Sequence, residues 1–244
     1  MLKVASVTRP PIVPDYDQMW TDVYGDHQES GPVHRHLKRI VREVLAPLDY
    51  ATVLDVGCGF GGNIALLEHG RPTVRVDGAD ISDLALEHAR QGRTGSFHKL
   101  DVEKGRLDGQ WDLVHSGLIL EHIPDDEAAL RNMRAMTRKY LVATTIAGDF
   151  ERYRAWDEAV GHVRNYRRGE LEAKLARAGF RVRRSIYWGF PFYSPLARTL
   201  QNHSREGLGR FRGHTYALAE ALYWLYYLNS WSRGDIVVVA AEPA

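Results

Sequence analysis

The chain has 244 residues, 44% hydrophobic and 26% charged, and its 32 lysines and arginines nearly cancel its 31 aspartates and glutamates. A net charge of +1 gives no global attraction to nucleic acid or to an anionic membrane. The single cysteine, Cys58, excludes an internal disulfide and a multi-cysteine metal site, and no apolar run reaches membrane-spanning length, so a cytosolic α/β protein is expected.

Residues 1–14 contain Pro10, Pro11 and Pro14, lack the apolar core of a signal peptide, and read as an extended leader. Tyr16, Met19, Trp20, Val23 and Tyr24 follow at helical spacing, an aromatic stripe that either caps the core or forms a lid. A second amphipathic helix carries Leu37, Ile40, Val41, Val44 and Leu45 and ends at Pro47. Residues 52–63, TVLDVGCGFGGN, then run from a buried strand through a glycine turn into a helix. Four glycines in six positions carry a large entropy cost, which indicates backbone laid bare for a ligand.

The helix over residues 63–69 stops at Gly70. A strand over 73–81 ends in Gly78-Ala79-Asp80, and Ser82 caps a helix over 83–91. Strands over 96–102 and 111–116 follow, the first with Asp101 near its end and the second leading into the GLILEHIP segment at 117–124. A helix over 126–137 and a strand over 140–146 come next. Residues 147–167 read as a long connection holding Trp156, His162, Arg164 and Tyr166. Leu171, Leu175 and Ala178 mark a helix stopped by Gly179, and 181–190 a strand. An insertion over 191–234 begins with Arg198, Arg205, Arg210 and Arg212 and continues as an aromatic-rich apolar helix over 214–231. A Val-rich strand over 235–241 closes the chain. Strands alternating with helices predict a doubly wound parallel sheet, with ligands beyond the carboxyl ends of its strands.

Gly57, Gly59 and Gly62 satisfy the GxGxxG pattern with Asp80 downstream, which alone suggests a nicotinamide oxidoreductase. Asp55, two residues before the first glycine, can instead receive an amino group. Asp101 can accept from an exocyclic amine, and the segment containing His122 supplies carbonyls and an imidazole where a reacting centre would lie. Taken together, residues 53–63, 78–82, 99–102 and 112–124 resemble the class I, Rossmann-like S-adenosylmethionine-dependent methyltransferases of small-molecule type. The likeness covers about residues 35–190 and the final strand.

That resemblance implies a seven-stranded, mostly parallel sheet completed by an antiparallel last strand at its edge, with a helical N-terminal cap and a helical insertion before the last strand. It divides the chain into a leader and lid (1–34), a Rossmann-like domain (35–190 with 235–244) and the insertion (191–234), which serves as substrate cover or dimer interface. It implies S-adenosylmethionine as cofactor, leaving as S-adenosylhomocysteine. Gly57, Cys58 and Gly59 would meet its methionine part, Asp55 its amino group, Asp80 its ribose, and Asp101 and Val102 its adenine. Asn63, Ile81, Ser116 and Trp20 complete the expected cofactor set.

His122, His162 and Tyr166 are the candidate bases, although the place of His122 also suits a role in the loop or at the cofactor. Tyr16, Tyr24, Arg164, Trp188 and Tyr193 are the candidate acceptor contacts, with Arg164 suited to an anion. Cys58 reads as a small packing residue, and no metal ligands are assigned. The expected activity is methylation of oxygen, nitrogen or carbon on a small hydrophobic or anionic metabolite, in natural-product or secondary metabolism. No nucleic acid or integral membrane is expected as a partner, and a homodimer through 214–231 is a candidate assembly. A nicotinamide oxidoreductase and a noncatalytic cofactor-binding module stand as alternatives.

Overall fold

The computed structural model describes residues 31–203 and 214–244. Tyr16, Trp20, Tyr24, Arg205, Arg210 and Arg212 lie outside the described residues.

The strands are β1 (Thr52–Val56), β2 (Arg75–Asp80), β3 (Phe97–Lys99), β4 (Trp111–Gly117), β5 (Thr137–Ile146), β6 (Phe180–Trp188) and β7 (Ile236–Pro243). They form one sheet in the order β3-β2-β1-β4-β5-β7-β6. β1 pairs in parallel with β2 on one side and β4 on the other, so the strand order reverses beside the glycine turn. β7 is antiparallel to both its neighbours, as the resemblance implies, but it does not lie at the edge. Its Val-rich run is buried on both faces, which suits an interior strand. β6 exposes Arg181, Arg183, Arg184 and Ser185 and takes the edge.

Alternate residues of β1 enter two cores. Val53 joins Ile40, Leu113, Val142, Trp188 and Val238 on one face, while Leu54 joins Val114, Leu130, Met133, Leu141 and Val239 on the other. α1 (Pro32–Leu45) opens with proline in its first turn and buries Leu37, Ile40, Val41, Val44 and Leu45 against the first face. The short α2 (Ile64–Leu67) follows the glycine turn. α3 (Asp83–Arg90) is capped by the Ser82 side chain, which accepts from Ala85 N, and α4 (Asp126–Met136) by Asp125, which accepts from Ala128 N.

Residues 147–167 are not an open connection. They contain α5 (Phe150–Ala159), capped by Asp149 and burying only Tyr153 and Asp157, so its largely polar surface gives little apolar periodicity to read. α6 (Glu170–Arg177) precedes β6, and α7 (Arg198–His203) and α8 (His214–Leu225) form the insertion. The helix expected to reach 231 tightens to a 3-10 turn at Tyr226–Leu228. α8 packs on α1: His36 Nε2 lies 2.8 Å from Tyr223 O, Arg35 pairs with Glu220, and the Arg35 guanidinium sits 3.5 Å above the Tyr223 ring. No helix among the described residues is long and apolar enough to cross a membrane.

Candidate active site

Gly57 leaves β1 at φ +74°, and a Cβ there would sit 2.3 Å from Ile119 Cγ2, so both backbone and space demand glycine. The turn is fastened to the end of β2, because Gly57 N and Cys58 N both donate to Ala79 O, at 2.7 and 3.1 Å. This brings Asp80 under the loop. Its Oδ2 accepts from Gly59 N at 2.8 Å and its Oδ1 from Ser82 N at 2.9 Å. Burial pushes this carboxyl above its ordinary value despite the two backbone donors. Cys58 Sγ would be 2.8 Å from a Cβ at Gly78, and burial pushes the thiol up, both marks of a packing residue.

Above these strand ends lies a cavity of about 730 Å³, large enough for a cofactor and a small acceptor. Gly57, Cys58, Asn63, Asp80, Ile81, Asp101, Val102, His122, His162 and Tyr193 all line it. β3 stops at Lys99, two residues short of Asp101, whose Oδ2 meets Lys104 Nζ at 2.6 Å and whose Oδ1 accepts from Glu103 N.

Asp55 and Ser116 are fully buried behind the cavity rather than on its surface, and Gly59 likewise is not part of the lining. Asp55 Oδ1 lies 2.7 Å from Nδ1 of His115, its register partner on β4, and His115 is the member of the pair that reaches the cavity. Asp55 Oδ2 and Ser116 Oγ are buried without a hydrogen bond among the described residues. Such atoms are costly unless a ligand or water satisfies them.

On the opposite wall, His122 sits in the 3-10 turn Leu120–His122, with Nδ1 3.1 Å from Gly161 O and its ring edge-on to His162 at 4.7 Å. Burial and the neighbouring His162 push the His122 imidazole down to about 3. His162 Nδ1 is 3.1 Å from Asp157 Oδ1, while Arg198 Nη2 holds both Asp157 oxygens at 3.0 Å and Asn165 donates to Oδ2 at 2.7 Å. Burial raises the Asp157 carboxyl, but the His162 bond and the Arg198 charge outweigh it, and the group is held below its ordinary value.

The other expected residues lie elsewhere. Tyr166 is buried off the cavity, its hydroxyl donating to Asp126 Oδ2 at 2.6 Å, and burial together with that bond pushes the phenol up. Arg164 is committed to Ile123 O, Pro124 O and the Asp126 carboxylate, so it braces the turn behind His122. Trp188 is fully buried and stacks on His36 at 5.2 Å and Tyr193 at 5.8 Å. Three participants went unread: His115, Asp157 and Glu121. The first two act through pairings that appear only once strands and loops are placed. Glu121 stood next to His122 in the sequence, but its burial, with Thr145 Oγ1 donating to its Oε2 at 2.7 Å, is a tertiary fact.

The sequence matches the model of a family described as a methyltransferase domain over residues 27–185. A trans-aconitate 2-methyltransferase of Azoarcus sp. (strain BH72) is 29% identical over 168 residues, spanning 67% of this chain and 64% of that protein. A ubiquinone biosynthesis O-methyltransferase of Nitrosomonas europaea is 25% identical over 49% of this chain and 53% of that one. The matched region thus covers less than two thirds of either relative's length. Among solved structures, magnesium protoporphyrin IX methyltransferase from Synechocystis PCC 6803 with bound S-adenosylhomocysteine has a TM-score of 0.57 at 17% identity, covering 95% of this chain and 96% of that one. A methyltransferase-like protein of Bacillus halodurans gives 0.59 at 16% identity, covering 84% and 98%. These likenesses establish the shared fold, and the match over residues 27–185 shows that the chain belongs to the methyltransferase-domain family.

Proposed function

We propose that the protein transfers a methyl group from S-adenosylmethionine to a nucleophilic atom of a small-molecule metabolite. The observation that carries this reading is Asp80: a carboxylate on the cavity wall, one oxygen anchored to the glycine turn through Gly59 N and the other to the helix cap through Ser82 N. The donor set fits the cofactor. Asp80 can accept from ribose hydroxyls, Asp101 and Val102 border a place for adenine, and Gly57 lines the cavity beside Ile119. His115, backed by Asp55, presents an imidazole on the wall where an ammonium group would lie, and Asn63 and Ile81 complete the wall.

When bound, S-adenosylmethionine supplies a methyl group on cationic sulfur, and the sulfur keeps the bonding pair as the acceptor's lone pair forms the new bond. The residues of the chain contribute alignment, which for an in-line displacement can supply much of the acceleration. A proton that the acceptor must lose meets the Glu121, His122 and His162 cluster on the facing wall. Tyr193, Leu222 and Tyr226 line the insertion side, and Arg164, the cation expected for an anionic acceptor, is already occupied. Both facts support a hydrophobic acceptor. A setting in natural-product metabolism is part of the proposal, as is a cytosolic location, supported by the lone Cys58. Self-association through residues 214–231 is supported by the exposed Leu218, Trp224 and Leu228.

The test is to incubate the protein with methyl-deuterated S-adenosylmethionine and a panel of hydrophobic phenols, amines and carboxylic acids, and read the products by mass spectrometry. A labelled methyl group on a panel member supports the reading. Cofactor binding with no transfer to any class would make the protein a noncatalytic binding module.

A further inference from the structure

No motif in the sequence marks a metal site, yet Glu121, His122 and His162 each bring one ligating atom into a group whose members all lie within 4.8 Å of one another. Two ligands of one tetrahedral ion at metal–ligand bonds of roughly 2.0–2.2 Å stand about 3.4 Å apart. The three atoms would therefore draw in by up to about 1.4 Å to share an ion. We propose that Glu121, His122 and His162 form a binding site for a divalent first-row transition-metal ion on the acceptor side of the cavity.

Three further observations support the site. His122 Nδ1 faces the Gly161 carbonyl, which can only accept, so the proton is on Nδ1 and the lone pair a cation would take is on Nε2. His162 Nδ1 faces Asp157 in the same way, and Asp157 is itself held by Arg198 and Asn165. Imidazoles whose second nitrogen donates to a carbonyl or carboxylate are oriented as metal ligands usually are. Glu121 is 1% exposed, and among the described residues neither lysine nor arginine pairs with it. A cation between the two rings would supply the missing charge, since buried carboxylates are otherwise expensive. All three residues also line the cavity, on the side that the proposed acceptor would occupy.

Two imidazoles and one carboxylate suit zinc, iron or manganese better than calcium, which prefers an all-oxygen shell. The ion's task would be to hold an oxygen of the acceptor in line with the methyl group and make that oxygen easier to deprotonate, which would take the place of proton acceptance by the two rings, since these would serve as ligands. That task rests on the methyl-transfer reading, whereas the binding itself does not.

The experiment titrates the tag-free full-length protein with Zn2+ by calorimetry, and in parallel with S-adenosylhomocysteine. One Zn2+ per chain is expected, with His162→Ala and Glu121→Gln each weakening it by about 100-fold while S-adenosylhomocysteine affinity stays within twofold. Asp157→Asn should weaken Zn2+ by ~10–100-fold through loss of ring orientation. Pulsed electron paramagnetic resonance of the unaltered protein with Mn2+ should show nitrogen couplings from imidazole, a readout independent of any variant's folding. Absence of saturable Zn2+ binding, or of those couplings, or binding unchanged in His162→Ala, overturns the site. If Zn2+ binds as described but S-adenosylhomocysteine does not, the metal site stands and the methyltransferase reading falls; the reverse result removes only the metal.

Discussion

In the proposed function, a few atoms at Gly57 and Asp80 define the cofactor side. Gly57→Ala adds a Cβ 2.3 Å from Ile119 Cγ2 at a φ of +74°. The left-handed backbone alone costs a side chain ~1–2 kcal/mol, which for a chain of this size lowers the melting temperature by roughly 2–8 °C. Thermal unfolding should show that drop, and the double variant Gly57→Ala/Ile119→Ala should recover S-adenosylhomocysteine affinity relative to Gly57→Ala alone, because it removes the clash but not the strain. An unchanged melting temperature for Gly57→Ala would contradict the tight turn. Arg198 matters differently: at 3% side-chain exposure it neutralises Asp157 and approaches Asp235 at 3.3 Å. Arg198→Met leaves a buried carboxylate without its cation, and urea unfolding should register a loss of ~3–5 kcal/mol.

Among the elements, β2 is tied to its neighbours by one carboxylate. Asp77 accepts from Arg75 Nη2 at 2.8 Å, from Ser96 N at 2.8 Å and from Trp111 Nε1 at 2.8 Å, joining the approach to β3 with the start of β4. Burial raises this carboxyl, but the bonds from Arg75, Ser96 and Trp111 outweigh it and hold the folded value below the ordinary one. A depressed carboxyl stabilises the fold above the unfolded value of about 3.9 and loses that contribution as pH falls towards the folded value. Urea midpoints between pH 7 and pH 3 should therefore fall less steeply for Asp77→Asn than for the unaltered protein; parallel slopes would refute the linkage.

The elements also explain what was legible in the sequence. The strand, glycine turn and helix around Gly57 are local events written in spacing and φ requirements, so they were readable, as was the alternation that fixes the sheet. α5 was hidden because its buried face is little more than Tyr153 and Asp157. The interior seat of β7 was hidden because a valine run declares burial but not its neighbours. Trp188 and Arg164 have residue types suited to an acceptor wall and Tyr166 one suited to a base, but the core and the turn behind His122 took them. The pairs Asp55–His115 and Asp157–His162 depend on register and loop placement, which no local pattern records.

At the scale of the whole molecule, the strand ends of the sheet line one side of the cavity and the insertion with the 120–163 region the other, and the proposed function gives the donor to the first and the acceptor to the second. The two should be separable by mutation. Leu222→Ala, on the partly buried cavity face of α8, should raise the acceptor KM several-fold while S-adenosylhomocysteine affinity stays within twofold. Equal losses of both would mean that α8 serves the fold and not the acceptor. The central claim, that the glycine turn and Asp80 hold S-adenosylmethionine and not a dinucleotide, is tested most directly by calorimetry of the full chain with S-adenosylhomocysteine and with NAD+. The account predicts saturable one-site binding of S-adenosylhomocysteine, weakened about 100-fold in Asp80→Ala by loss of charge-assisted bonds worth ~1.5–3 kcal/mol each, and no heat with NAD+. Tight NAD+ binding without S-adenosylhomocysteine binding, or an affinity indifferent to Asp80→Ala, would contradict it.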